Sequence, residues 1–97
     1  MSLWPKDNQG RITKTFSFKN YRQSFGFVSQ IVLLAEKKNH HPTITLDYGS
    51  VTIALISHDV KGVTERDIDL ANQIDKFTTN DLFNWHSRVN PFLSMFL

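Results

Sequence analysis

The sequence has no cysteine, which removes disulfide frameworks, thiolate metal sites and cysteine nucleophiles from consideration. Glycine occurs only four times, each time isolated, so no glycine-rich loop is available to cradle a phosphate. No serine sits in the sharp glycine elbow that exposes a hydrolase nucleophile. No apolar run approaches the roughly 20 residues of a membrane-spanning helix. The first fifteen residues, MSLWPKDNQGRITKT, lack the apolar centre of a secretory signal. The excess of one charge is small: 11 Lys and Arg against 9 Asp and Glu give a net charge of +2. The lysines are scattered rather than striped, so the pI of about 9.1 does not point to direct nucleic-acid binding. These absences leave a soluble, cytoplasmic protein without membrane contact as the expectation.

What is present is ordinary globular composition: 97 residues, 40% hydrophobic, with eight phenylalanines, enough for one domain around one core. After Trp4-Pro5 and a polar turn, RITKTFSF reads as a strand with Ile12, Phe16 and Phe18 on one parity and Lys14 interrupting them. KNYRQSFGFVSQIVLLAEKKN reads as a helix capped by Ser17 or Asn20. Its residues Tyr21, Phe25, Val28, Val32 and Ala35 form one apolar face, and Phe27, Ile31 and Leu34 a second stripe. Two stripes predict either a wide core face or a subunit interface. TITLDY and VTIALIS alternate cleanly about Tyr48-Gly49-Ser50, which predicts an antiparallel hairpin. TERDIDLANQIDKF reads as a second helix, opened by a capping-box-like pairing of Thr64 with Asp67. The order implies an α+β fold: an antiparallel β-sheet of about four strands, one of them before Arg11, with helices packed on one face.

The unusual feature is the histidine placement. His40 and His41 precede Pro42 at the entrance to the hairpin, and His58 follows its second strand. Because a hairpin returns the chain to its starting edge, His40, His41 and His58 are expected to converge at one end of the sheet, with Asp67 near the same edge. Three readings are open at this point: polar loop residues, a zinc site, or an acid–base site. The zinc reading lacks cysteine and a helical H-x3-H pair. The acid–base reading rests on imidazole titrating near neutrality, so that one ring donates a proton while another accepts one. His86, far along the chain, is taken as outside the site.

The stretch AEKKNHHPTITLDYGSVTIALISHDVKGVTERDIDLA resembles the core of the pterin-4a-carbinolamine dehydratases. The resemblance is carried by Glu36, His40-His41-Pro42 after three intervening residues, the aromatic Tyr48, His58, and Asp67 nine residues further. FSFKNYRQSFGFVSQIVLLAEKKN is similar to the family's strand-to-helix entry, and the likeness spans roughly residues 4 to 76. It implies a two-layer sandwich and a hydro-lyase that dehydrates 4a-hydroxytetrahydrobiopterin to quinonoid dihydrobiopterin in tetrahydrobiopterin recycling. It also implies no cofactor and no metal. His40, His41 and His58 would be the catalytic imidazoles, with His40 and His58 moving protons and His41 orienting the pterin. Substrate contacts would come from Glu36, Asn39, His40, His41, Ile56, Ser57, His58, Asp59 and Asp67. The resemblance further implies a homodimer or homotetramer, and a protein partner in some members. The alternative function is therefore a non-catalytic dimerisation cofactor or scaffold. Asn39 departs from relatives that carry Asp there. Residues 1–78 are expected to form the single domain, and residues 79–97, rich in Phe, Leu and Met, to pack on it or on a neighbouring subunit.

Overall fold

The computed structural model describes residues 4–80. The elements run β1 (Ile12–Ser17), α1 (Tyr21–Lys38), β2 (Thr43–Leu46), β3 (Ser50–Leu55) and α2 (Glu65–Asn80). The sheet is antiparallel in the order β1-β3-β2, so the α+β expectation holds. Its register puts Ile12 opposite Leu55, Lys14 opposite Ile53 and Phe16 opposite Val51, with Ile44 and Leu46 completing the same face from β2. Alternate residues of a strand share a face. This face is therefore the apolar one, and it buries Ile12, Phe16, Val51, Ile53 and Leu55 against Phe27 and Ile31 of α1 and Leu70, Ala71 and Ile74 of α2. Thr13, Thr15, Thr43, Thr45 and Thr52 take the opposite parity, and the Thr15 and Thr52 hydroxyls pair at 2.9 Å on that polar side.

Three strands form the sheet among the described residues, where about four were expected. The segment before Arg11 contributes a single bridge, Lys6 to Ile12, because Asp7 folds it into a turn instead. The Asp7 carboxylate accepts from the backbone N–H groups of Gln9 and Arg11 and from Arg11 Nε, and Gly10 takes the left-handed φ of 78° that the turn needs. The lysine that interrupts the β1 stripe is also explained. Lys14 Nζ lies 2.8 Å from Asp75 Oδ1 of α2 and 5.1 Å from the centre of the Phe16 ring, so its stem covers the core while its charge is paired. Asp75 Oδ2 accepts from Trp4 Nε1 as well, tying the start of the described chain to α2.

The core face of α1 takes only part of the five-residue stripe: Ala35 is buried and Val28 packs against the core, but Tyr21 and Val32 are not covered. Phe27 and Ile31 point to the sheet, whereas Tyr21, Val32 and Leu33 are exposed. The sheet selects Phe27 through its tilted contacts with Phe16 and Phe18, both at 4.9 Å between ring centres. Tyr21 instead stacks on Tyr48 at 6.4 Å. Gly49 in the hairpin turn sits at a close approach: a Cβ there would lie 3.2 Å from the carbonyl oxygen of Phe18, just after β1, and that backbone would have to shift by a few tenths of an ångström. The apolar extension expected over 79–97 falls almost entirely outside the described residues. No helix among the described residues is long and apolar enough to cross a membrane.

Candidate active site

Three chain reversals meet at one end of the sheet. Helix α1 ends at Asn39, whose left-handed conformation (φ 53°) suits an asparagine, and the His40 N–H closes the end on the Ala35 carbonyl at 3.1 Å. This fixes where His40 leaves the helix. Strand β2 starts at Thr43 opposite Ala54, so the residues before Thr43 and those after Leu55 emerge side by side. Beyond β3 the chain closes a tight loop in which Ser57 and Gly62 form a bridge and Lys61 takes a φ of 54°. His58 occupies the first position of that loop. The result is a cavity of about 220 Å³ lined by Asn39, His40, His41, Ile56, Ser57, His58 and Asp59.

Two residues singled out from the sequence lie elsewhere. Glu36 sits on the exposed last turn of α1 and pairs with His41, Oε2 to Nε2, at 2.6 Å. Asp67 is fully buried behind His40 instead of in the cavity wall, so it reaches a ligand only through that ring. Ser57, though it contributes to the lining, is 1% exposed and its hydroxyl turns inward to Asp67.

The Asp67 carboxylate divides its two oxygens. Oδ1 lies 2.6 Å from His40 Nε2. Oδ2 accepts from Ser57 Oγ at 2.7 Å and from the Thr64 backbone N–H at 2.8 Å. The second of these is the capping interaction expected for α2, so capping and histidine contact coexist in one side chain. Burial by itself raises the Asp67 pKa, but hydrogen bonds from Thr64, His40 and Ser57 outweigh it and hold the carboxyl below its ordinary value. An ionised carboxylate only accepts, so His40 carries its proton on Nε2. Nδ1 is then the atom left for chemistry. No buried side-chain nitrogen or oxygen among the described residues lacks a partner, so His40 Nδ1, which has none, reaches solvent.

His58 is exposed and its ring makes no hydrogen bond among the described residues. The neighbouring Asp59 pairs with Arg66 Nη2 at 2.6 Å, and this hydrogen bond lowers the Asp59 pKa. Arg66 is a site-forming residue that the sequence did not single out, and Thr64, expected only as a cap, contributes to the site as well. Arg66 lies in the first turn of α2 and Thr64 immediately before the helix, one and three residues before Asp67, and that spacing was the available signal. Among the described residues, no group of three His, Asp or Glu has the geometry to hold a metal ion.

A family profile described as pterin 4 alpha carbinolamine dehydratase matches residues 1–77. The chain belongs to the pterin-4a-carbinolamine dehydratase family. Two curated relatives carry that enzyme name provisionally. One, from Jannaschia sp. (strain CCS1), is 44% identical over 73 residues, covering 73% of this chain and 74% of its own. The other, from Bradyrhizobium sp. (strain ORS 278), is 40% identical over 76 residues, covering 77% and 76%. Among solved structures, a transcriptional coactivator/pterin dehydratase from Brucella melitensis is 40% identical with a TM-score of 0.71, covering 76% of this chain and 80% of its own. A pterin dehydratase-like RuBisCO assembly factor of the alpha-carboxysome shares the fold, with a TM-score of 0.68 at 22% identity over 80% of this chain and 92% of its own. The pterin-4a-carbinolamine dehydratase fold thus accounts for most of the described chain.

Proposed function

We propose that the chain is a hydro-lyase that dehydrates 4a-hydroxytetrahydrobiopterin to quinonoid dihydrobiopterin, in the recycling of tetrahydrobiopterin. The observation that carries this reading is the His40–Asp67 pair: a buried carboxylate fixes one imidazole and leaves its Nδ1 without a partner among the described residues, and the cavity there is shared with His58, whose ring makes no hydrogen bond among the described residues. Dehydration needs two proton movements. One imidazolium protonates the C4a hydroxyl as the C–O bond breaks and water leaves. A neutral imidazole removes the N5 proton, and its electron pair forms the C4a=N5 bond. Positioned acid–base groups of this kind contribute about 10² to 10⁴ in rate. His40 and His58 are assigned the proton transfers, and His41, exposed and held by Glu36, the orientation of the pterin.

A cavity of about 220 Å³ suits the fused ring of a pterin. It falls below the range of about 300–1,000 Å³ usual for whole drug-sized ligands, so the ring's side chain is left outside. The test is a stopped-flow assay of carbinolamine dehydration with wild type, His40→Ala and His58→Ala. A wild-type rate no faster than the spontaneous one, or unchanged rates in both variants, rejects the proposal. Activity that survives chelators disposes of a zinc mechanism.

A second reading is a scaffold that stabilises a partner's oligomer. It is favoured by Tyr21, Val32 and Leu33, which are 45–53% exposed on the outer face of α1. The Brucella relative, described as both a transcriptional coactivator and a pterin dehydratase, supports it too. Light scattering on the purified chain, compared with a Val32→Glu/Leu33→Glu variant, separates association through this face from catalysis.

A further inference from the structure

The hydrogen bonds around Asp67 allow only one direction of donation. Arg66 has donors and no acceptor, and its backbone N–H and Nε both approach Thr64 Oγ1, at 3.3 and 3.4 Å. Thr64 Oγ1 therefore accepts from Arg66 and has its own proton left to donate onward. That hydroxyl lies 2.9 Å from Ser57 Oγ and only 3.4 Å from Asp67 Oδ2, so Ser57 is the better-placed acceptor. At the other end, ionised Asp67 Oδ2 offers only lone pairs, so Ser57 Oγ at 2.7 Å must donate to it. Ser57 can do both at once, accepting from Thr64 while donating to Asp67.

We propose that Arg66, Thr64 and Ser57 form a directed hydrogen-bond chain whose last member, Ser57, is a positioning residue that holds Asp67 with Oδ1 turned to His40 and so fixes the His40 tautomer. Ser57 touches no reacting atom. It is 1% exposed, and its side chain follows the inward parity of Val51, Ile53 and Leu55. Its hydroxyl occupies the oxygen of Asp67 that does not face the imidazole. Without that donor, Oδ2 retains the Thr64 N–H alone at short range, and one of the three short bonds that hold the carboxylate's terminal torsion is lost. Rotation brings Oδ1 away from Nε2, and the ring then redistributes its proton between its two nitrogens. The consequence for dehydration rests on the functional reading above, whereas the consequence for the tautomer does not.

The test uses three variants of the full chain. Ser57→Cys keeps the volume with a much weaker donor, Ser57→Ala removes the donor, and Ser57→Thr restores a hydroxyl. Nitrogen-15 NMR of the His40 ring reports the tautomer directly, without substrate. The wild type and Ser57→Thr are expected to show protonated Nε2. In Ser57→Cys and Ser57→Ala a mixed-tautomer signature is expected, with kcat lowered about tenfold and KM nearly unchanged. A His40 ring that stays protonated on Nε2 in both Cys and Ala variants overturns the proposal, whatever the activity. So does a loss of rate that Ser57→Thr fails to restore in a folded protein with the wild-type ring spectrum. If the wild type has no dehydratase activity but the NMR pattern appears, the positioning chain stands and the catalytic reading falls.

Discussion

The substitution Asp67→Asn tests the site at its most constrained point. The side chain is fully buried and accepts three hydrogen bonds of 2.6 to 2.8 Å, from His40 Nε2, Ser57 Oγ and the Thr64 N–H. An amide has one acceptor oxygen and one donor nitrogen. The Thr64 N–H cannot reverse its direction, so the amide oxygen must stay on the Ser57 and Thr64 side. The NH2 group then faces His40 Nε2, which has to become an acceptor, and the ring proton moves to Nδ1. Asparagine thus preserves shape and capping while inverting the tautomer. Bonds to a charged acceptor contribute about 1.5–3 kcal/mol and neutral ones about 0.5–1.5. Weakening three of them, offset by removing a buried charge, leaves an expected stability loss of about 1–3 kcal/mol. For a domain of this size that lowers Tm by about 4–8 °C per kcal/mol. The effect on rate is larger, because Nδ1 is now blocked. The equivalent change in serine-protease triads lowers kcat about 10⁴-fold through the wrong tautomer, so a loss of about 10² to 10⁴ is expected here. Thermal melting and stopped-flow dehydration measure the two effects separately. A variant with the predicted Tm loss but wild-type kcat would refute the argument, because the tautomer would then have no bearing on catalysis.

Three further outcomes follow from the same geometry. His58→Ala should leave stability within about 0.5 kcal/mol, since the ring is exposed and unpaired among the described residues, yet lower the dehydration rate at least a hundredfold; a rate loss that merely tracks unfolding contradicts its assignment. Because the folded-state pKa of Asp67 is depressed, its stabilising contribution is present above the unfolded value of about 3.9 and is lost as pH falls through the lower folded value. The stability gap between wild type and Asp67→Asn should therefore close below about pH 4 in denaturant titrations, and a gap that widens there is inconsistent with an ionised carboxylate. Truncation after Asn80 should change the mass in solution or lower Tm if the apolar residues 81–97 pack on the domain or on a neighbour; an unchanged mass and Tm removes that expectation.

Much of this architecture is legible in the chain because its signals are local. The period-two alternation of Thr43–Leu46 and Ser50–Leu55, joined through Gly49, fixes a hairpin, and a hairpin brings its two ends together. That single inference places His40, His41 and His58 around one cavity. The Thr64–Asp67 cap was legible for the same reason, since both partners lie within one helical turn. What could not be read depends on contacts between distant elements. Lys14 looks like a fault in β1 until Asp75, 61 residues away, is seen beside it. The two apolar stripes of α1 have the same period, and only the packing of Phe27 against Phe16 and Phe18 decides which faces the sheet. Ser57 is an intermediate case. Its parity with Val51, Ile53 and Leu55 already pointed its side chain inward, which argues against a direct substrate contact through the hydroxyl.

Capping alone does not explain Asp67. A helix N-terminus needs one side-chain oxygen, and Oδ2 supplies it by accepting the Thr64 N–H at 2.8 Å. Burying the whole carboxylate carries a desolvation penalty of several kcal/mol that an exposed cap avoids. The second oxygen is therefore the informative one, and its partner is His40 Nε2. If Oδ1 serves only stability, the two residues should be coupled in unfolding and indifferent in rate. If it orients His40 for proton transfer, the coupling appears in the rate: Asp67→Asn costs about 10² or more in the wild type but little further in a His40→Ala background, because the group it orients is gone. A double-mutant cycle read in both Tm and kcat separates these cases. Additive rate losses would sink the dyad, since two residues that act as one unit cannot each be removed at full effect.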